Sequence, residues 1–284
     1  MRKKWALAAA LVVACSPASE QADGEADDSG AVVDAMQAAA DTTLPAAIVG
    51  RAGPPRGENV RYFDADSSAV GYVAVPAGEG PFPAVILIHE WNGLVDGIRQ
   101  TADALADEGY VAFAADLYHG QTGASREENM QLMQAAQGES EAMIANLDAA
   151  VAWLEARPDV TGRIGAVGWC FGGGVALSFG LDGVEHEATA IFYGSLIDDP
   201  ERLAGLTHEV YGTFAGEDQG IPVAQVEAFA AALDAAGIDN DIHVYDGVDH
   251  GFWLHVARNP AANTEPARDA WRRLRAYFQR TLNP

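Results

Sequence analysis

The segment Gly168-Trp169-Cys170-Phe171-Gly172-Gly173-Gly174 is the most informative part of this sequence. It follows an apolar run, Arg163 to Val167, that is typical of a buried strand, and a helix of small residues is predicted after it. A lone cysteine is often a small buried hydrophobe. This context instead matches the G-x-nucleophile-x-G turn, whose flanking positions exclude a Cβ. We therefore predict that Cys170 is a nucleophile at a helix N-terminus, where a thiolate is favoured, and that the Phe171 amide binds an oxyanion.

Strands and helices alternate on both sides of this turn, which predicts an α/β fold with a mostly parallel sheet and helices on both faces. Ligands of such sheets bind at the carboxyl ends of the strands. The predicted strands are 70–75, 84–88, 110–115, 163–168, 188–193, 209–214 and 241–245, and the predicted helices are 95–108, 139–156, 222–236 and 262–281.

A nucleophile of this type needs a base, and the base needs an acid that orients it. His250 follows the last predicted strand, in a loop late in the chain. The order nucleophile, acid, histidine then places the acid after the preceding strand, where Asp218 is the choice and Glu217 is its rival. Asp249 adjoins His250 in the sequence but would point away from it. The other six histidines, including His255, are predicted to be structural or surface groups, with His119 left open as an exception because it follows a strand end.

Composition excludes several classes of protein. The chain has 284 residues, which suffices for one large α/β domain, and only two cysteines, too few for a disulfide scaffold or a multi-cysteine zinc fold. A net charge of −24 argues against a nucleic-acid partner, because phosphate binding needs a basic surface.

The N-terminus predicts export and lipidation. Arg2-Lys3-Lys4 precedes the apolar run Trp5 to Ala14, which suits a signal peptide over residues 1–14 and is too short to span a bilayer. The sequence Val12-Val13-Ala14-Cys15 resembles the lipobox of bacterial lipoproteins. This resemblance implies a cell-envelope protein with a lipid on Cys15 as its only membrane anchor, in the outer membrane and facing the periplasm. An ordinary secretory signal that contains a cysteine is the alternative.

The anchor and the folded part are joined by a segment of low complexity. Residues 16–55 are rich in alanine and acidic residues and contain no aromatic residue. Such a composition buries too little apolar area to offset the entropy of ordering. We therefore predict a flexible acidic tether over 15–55, including the lipidated cysteine, and a folded domain over 56–284.

Several blocks of residues resemble the dienelactone hydrolase family: the cysteine turn itself, Ile88-His89-Glu90-Trp91-Asn92-Gly93, Asp116-Leu117-Tyr118, 216–222 and Asp249-His250-Gly251-Phe252. The resemblance spans roughly residues 60–278. It implies an α/β-hydrolase fold and a carboxylic ester or lactone hydrolase that needs no metal or cofactor. It implies Cys170, Asp218 and His250 as the triad. It further implies that Glu90 meets the cysteine and helps to generate the thiolate, and that the Trp91 amide is the second oxyanion donor.

The sequence departs from this family where the substrate carboxylate is bound. Family members that act on dienelactone use arginines at the positions that are Gly120 and Leu254 here. Arg126 and Arg258 lie nearby in sequence and could replace them, but the sequence favours a neutral ester or lactone as substrate. The alternative function is a non-catalytic envelope lipoprotein that keeps the hydrolase fold to bind a ligand or partner.

Overall fold

The computed structural model describes residues 43–283, where strands and helices alternate along the chain. The strands are β1 (Glu58–Arg61), β2 (Val70–Ala74), β3 (Phe82–Ile88), β4 (Val111–Ala115), β5 (Val160–Trp169), β6 (Ala188–Phe192), β7 (Val210–Ala215) and β8 (Asn240–Tyr245). The helices are α1 (Asp96–Asp107), α2 (Arg126–Gln137), α3 (Ser140–Glu155), α4 (Phe171–Asp182), α5 (Pro200–Leu203), α6 (Val223–Ala236) and α7 (Pro260–Leu282), with a 3-10 turn at Val256–Arg258.

Within residues 43–283, the strands form one sheet of eight in the order β1-β2-β4-β3-β5-β6-β7-β8. β1 pairs antiparallel with β2, and β2 pairs antiparallel with β4. The six strands from β4 to β8 in this order pair in parallel. The mostly parallel sheet predicted from the sequence is therefore confirmed.

Helices cover both faces of the sheet, as the alternation along β3 shows. Val85 and Leu87 pack toward α1 and α7, whereas Ile86 and Ile88 pack toward α3 and α4. All four side chains are fully buried. Each such burial contributes about 1.5–3 kcal/mol relative to exposure, so both helical layers are held firmly against the strands.

Strand β1 and helices α2 and α5 escaped prediction. Helix α5 is a single turn of four residues, and neither β1 nor α2 has a clear apolar pattern. Strand β1 is polar and mostly exposed, with one partly buried residue of four. Helix α2 buries only Asn129 and Ala136. It begins at a capping box in which Ser125 and Glu128 satisfy each other's backbone amides, a signal of the helix start that is independent of hydrophobic periodicity.

The structure shortens the predicted tether. Leu44 and Ile48 are buried in the same apolar cluster as α1 and α7, so the chain is packed well before residue 56. The side chain of Gln100 also donates to the Gly53 carbonyl at 2.7 Å. The signal peptide 1–14, Cys15 and most of the tether lie outside the described residues. Among residues 43–283, no helix combines the length and apolarity needed to cross a bilayer.

Candidate active site

Cys170 lies at the sharp turn between β5 and α4, as predicted. Its φ of +56° is in the left-handed region, which L-residues seldom adopt. The glycines around it permit the close approach of the backbone. A Cβ at Gly168 would overlap the carbonyl oxygen of Gly172, and a Cβ at Gly172 would overlap that of Ile88. The turn thus exposes the thiol at the carboxyl end of the central strand and at the start of a helix.

His250 and Asp218 meet at this end of the sheet. The Nδ1–H of His250 donates to Oδ2 of Asp218 at 2.6 Å, although 32 residues separate them in the chain. The other carboxylate oxygen of Asp218 accepts the amides of Gly220 at 2.8 Å and Ile221 at 3.1 Å. Burial opposes ionisation of Asp218, but the hydrogen bond from His250 and these amides together lower its pKa. Asp218 therefore holds the imidazole as an ionised acceptor.

The environment of His250 favours its protonated form. Burial acts to lower the pKa of His250, but hydrogen bonds to Asp218 and Cys170 and their negative charge outweigh burial and raise it to about 10. An imidazolium next to a cysteine stabilises the thiolate in return. Cys170, His250 and Asp218 are called the triad below, and His250 is its cationic member at neutral pH.

The rivals to Asp218 are placed elsewhere. Within the described residues, neither Glu217 nor Asp249 hydrogen-bonds the His250 ring. The backbone carbonyl of Asp249 instead accepts the amide of Phe252 at 3.2 Å.

The backbone amides of Phe171 and Trp91, the two predicted oxyanion donors, have no hydrogen-bond acceptor within residues 43–283. The Trp91 turn is held by the fully buried His89, whose Nδ1–H donates to the Glu90 carbonyl at 2.7 Å. Nε2 of His89 accepts the Leu117 amide at 3.3 Å, which ties the loop after β3 to the loop after β4. His89 is a structural residue, as the sequence predicted.

Glu90 lies in the cavity next to Cys170, but its carboxylate is bonded elsewhere. Nε2–H of His255 donates to Oε2 of Glu90 at 2.9 Å. Among the described residues, no hydrogen bond joins Glu90 to Cys170, which is the contact expected from the family resemblance. Sequence reasoning missed His255 as a residue of the site. Its position five residues after His250, in the same loop at a strand end, was the available signal.

A second residue that sequence reasoning missed is Tyr193, at the carboxyl end of β6. Its ring lies 4.9 Å from that of His250, centroid to centroid, and it is fully buried. The side chain lines the apolar side of the site together with Cys170. Its position at the end of the strand next to β5 would have been sufficient to suggest it.

Two arginines line the other side of the site. A cavity of about 310 Å³ is bounded by Glu90, Trp91, Arg126, Cys170, His250, Gly251, His255 and Arg258. The Arg126 guanidinium lies 5.9 Å from the centroid of the Trp91 ring. Neither arginine forms an ion pair within residues 43–283. Both are therefore available to an anionic ligand.

Comparison with known proteins gives a consistent result. A model of the dienelactone hydrolase family matches residues 70–282. Two curated proteins, both named "Putative carboxymethylenebutenolidase", are 33% identical to this chain. The one from Methylorubrum extorquens aligns over 227 residues, 75% of this chain and 77% of that protein. The one from Synechocystis aligns over 230 residues, 75% of this chain and 92% of that protein.

A solved structure is similar in fold as well as in sequence. It is described as a "Putative Dienelactone Hydrolase" from Klebsiella pneumoniae and superposes with a TM-score of 0.68 at 26% identity, over 78% of this chain and 98% of that one. The family match covers the described sheet from β2 to the end of α7. The protein is a hydrolase with an α/β-hydrolase fold, and the chain belongs to the dienelactone hydrolase family.

Proposed function

We propose that this protein hydrolyses a carboxylic ester or lactone through a covalent thioester on Cys170, with His250 and Asp218 completing the triad. The observation that carries the proposal is the chain of contacts at the strand ends. A cysteine in a strained turn borders the same cavities as a histidine, which donates to a buried, ionised aspartate at 2.6 Å. This is the arrangement that nucleophilic acyl transfer requires.

In the first half-reaction the Cys170 thiolate attacks the carbonyl carbon and forms a C–S bond. The carbonyl π electrons move to oxygen, where the amides of Phe171 and Trp91 stabilise the negative charge. The tetrahedral intermediate collapses, the C–O bond to the leaving group breaks, and imidazolium His250 donates its proton to the departing oxygen. In a lactone the leaving oxygen remains tethered to the acyl group.

In the second half-reaction neutral His250 takes a proton from water, and the hydroxide attacks the thioester. The C–S bond breaks, which releases the acid and regenerates the thiolate and the imidazolium. Asp218 keeps the proton on Nδ1, so that Nε2 faces the reacting atoms throughout. We assign the role of proton acceptor for the thiol to His250, because the carboxylate of Glu90 is engaged by His255.

The basic side of the site supports a substrate that carries a carboxylate. Arg126 and Arg258 border the same cavity as Cys170 and His250, and His255 adds a third cationic group when protonated. The attraction of a substrate carboxylate to two nearby guanidinium groups outweighs its repulsion by the net negative charge of the protein. Electrostatic interactions weaken with distance and are screened by salt, so the distant charges contribute less. We therefore prefer an anionic ester or lactone to the neutral one that the sequence favoured.

The test compares the full-length protein with Cys170→Ala on a cyclic enol-lactone that carries a carboxylate and on its methyl ester. We expect turnover by the wild type and a loss of about 10³-fold or more in the variant, with an unchanged circular dichroism spectrum. Arg258→Leu is expected to raise KM for the anionic substrate and to leave the methyl ester unaffected. Equal activity of wild type and Cys170→Ala would exclude the triad. Absence of turnover in both would favour the non-catalytic envelope protein.

We also propose that the protein is a lipoprotein of the outer membrane, anchored through Cys15 and facing the periplasm. The support is the sequence of residues 1–15 alone. Expression of the full chain in a Gram-negative host with a clickable fatty acid is expected to label the wild type and to leave Cys15→Ala unlabelled. Label on the Cys15→Ala protein, or an unlabelled wild type, would contradict the proposal.

A further inference from the structure

A second cavity also borders Cys170 and His250 but is not lined by the two arginines. It has a volume of about 420 Å³ and is bounded near the triad by Cys170, Phe171, Tyr193 and His250. A further cavity of about 520 Å³ continues it outward. The two cavities share Ser140, Met143, Val175 and Ser178, so they form one groove, called the apolar groove below. Its combined size is within the range of sites that hold small organic ligands.

The walls of the apolar groove come from four separate parts of the fold and are mainly hydrocarbon. Met133 is on α2, Met143 on α3 and Val175 on α4, while Leu196 and Ile197 are on the loop after β6. These side chains are only partly covered by the protein, apart from the more buried Val175. Unbranched methionines adapt to ligands of different shape. The groove therefore offers apolar surface that a hydrocarbon chain could cover.

The groove lacks the charge that an anion would need. Among the described residues that line it, His250 at the inner end is the only cationic group. The outer end carries the carboxylates of Glu141, Asp148 and Asp182. The hydroxyl of Ser178 donates to the Gly174 carbonyl of its own helix at 3.1 Å, so it is already engaged. A carboxylate would be repelled here, in contrast to the cavity of Arg126 and Arg258.

We propose that the apolar groove binds a neutral hydrocarbon arm of the substrate, several carbons long, while the arginine-lined cavity holds the polar part. This proposal rests on the proposed ester hydrolysis and specifies its substrate class: an ester with one extended apolar arm. Met143 is the specificity-determining residue, because it has the longest side chain of the four residues that border both halves of the groove.

The experiment measures kcat/KM of the full chain for p-nitrophenyl esters from acetate to decanoate, below their critical micelle concentrations. Alkyl esters of acetic acid with alcohols of the same lengths form a second series. We expect kcat/KM to rise by about two- to fourfold per added methylene until the groove is filled. A rise in the first series assigns the groove to the acyl arm, and a rise in the second assigns it to the alcohol arm.

Met143→Trp is expected to block the groove and to abolish the dependence on chain length, so that the ratio of kcat/KM for octanoate to kcat/KM for acetate falls toward one. Ile197→Trp, on a different element, should do the same. Met130→Trp is the matched control, since Met130 is an exposed methionine of α2 that does not line the groove. An unchanged circular dichroism spectrum shows that each variant is folded.

A flat dependence in both series, with acetate hydrolysis that needs Cys170, would overturn this inference and leave the proposed function intact. The inference would also be overturned if Met143→Trp changed kcat/KM for acetate and for octanoate by the same factor.

A second experiment separates the two proposals without requiring turnover. It measures the rates at which N-ethylmaleimide and N-octylmaleimide alkylate Cys170, with the modified residue located by peptide mass. We expect the octyl reagent to react faster by about tenfold or more in wild type and to lose this advantage in Met143→Trp. Equal rates in wild type would contradict the groove even for an inactive protein.

Discussion

Two groups of histidines in this molecule show how neighbours decide what an imidazole does. In the triad, His250 lies between a carboxylate and a thiol, and its pKa is raised to about 10. In a second group, His186 and His208 share the hydroxyl of Thr189, at 3.2 and 2.8 Å, and no carboxylate of residues 43–283 is bonded to either ring. Burial lowers the pKa of His186. Burial, together with the repulsion from a protonated His186, lowers the pKa of His208 to about 4.

The hydrogen bonds of the second group define the protonation state of each ring. Nδ1–H of His186 donates to the Val184 carbonyl at 3.0 Å, so its Nε2 accepts from the Thr189 hydroxyl. The hydroxyl oxygen in turn accepts Nε2–H of His208. Nδ1 of His208 is buried and has no partner within the described residues. A proton there would be a buried charge without an acceptor, which explains a neutral structural imidazole.

The largest difference between the two groups is expected when one histidine is removed from each. His250→Gln is expected to reduce kcat by about 10³-fold or more, because the leaving group and the attacking water lose their proton donor and acceptor. His208→Gln should leave kcat/KM within about twofold, since it lies outside the site. Ester hydrolysis by the two purified variants checks both expectations. A catalytic defect of similar size in the two variants would contradict the division of roles.

Asp218→Asn gives His250 a neutral partner and therefore tests whether the carboxylate accounts for the difference between the two groups. Loss of the charged acceptor is expected to cost about 10²–10⁴-fold in kcat. It should also lower the pKa of His250 toward that of an ordinary buried histidine. In wild type, activity that depends on the imidazolium is retained at neutral pH and lost as pH rises through about 10. The pH–rate profile of the residual activity in Asp218→Asn should show this alkaline loss at lower pH, and an unshifted profile would contradict the assignment.

Protonation of the histidines makes the free energy of unfolding depend on pH in opposite directions in the two groups. The raised pKa of His250 contributes stability below the unfolded value of 6.5, and this contribution is lost as pH rises through about 10. His208 binds a proton in the unfolded chain below 6.5 but in the folded protein only near 4, so stability falls as pH decreases through that window.

We therefore expect His208→Gln to lose less stability than wild type between pH 7 and pH 4, by about 1–3 kcal/mol. Urea unfolding at several pH values measures this difference. Matched acid sensitivity of wild type and His208→Gln would show that the buried pair does not control it. His119→Gln serves as the control, because His119 is exposed and paired with Asp66.

The sequence alone predicted the parts of the site that follow from local backbone constraints. Cys170 was identified because only glycine fits around a strand-to-helix turn that tight. Asp218 and His250 were identified because each follows a predicted parallel strand, and strand ends of such a sheet converge on one edge. The polar strand β1 and the exposed helix α2 were missed because neither produces an apolar period.

Only the tertiary structure determined which distant side chains share the site. The pairing of Glu90 with His255 joins residues 165 positions apart, and no local pattern specifies such a contact. Arg126 and Arg258 reach one cavity from different elements, and the apolar groove exists because α2, α3 and α4 pack together at Cys170. Local steric rules act over a few residues and can be read from the sequence. Pocket shape, charge pairing and pKa depend on the packing of distant elements, which the sequence encodes only through the whole fold.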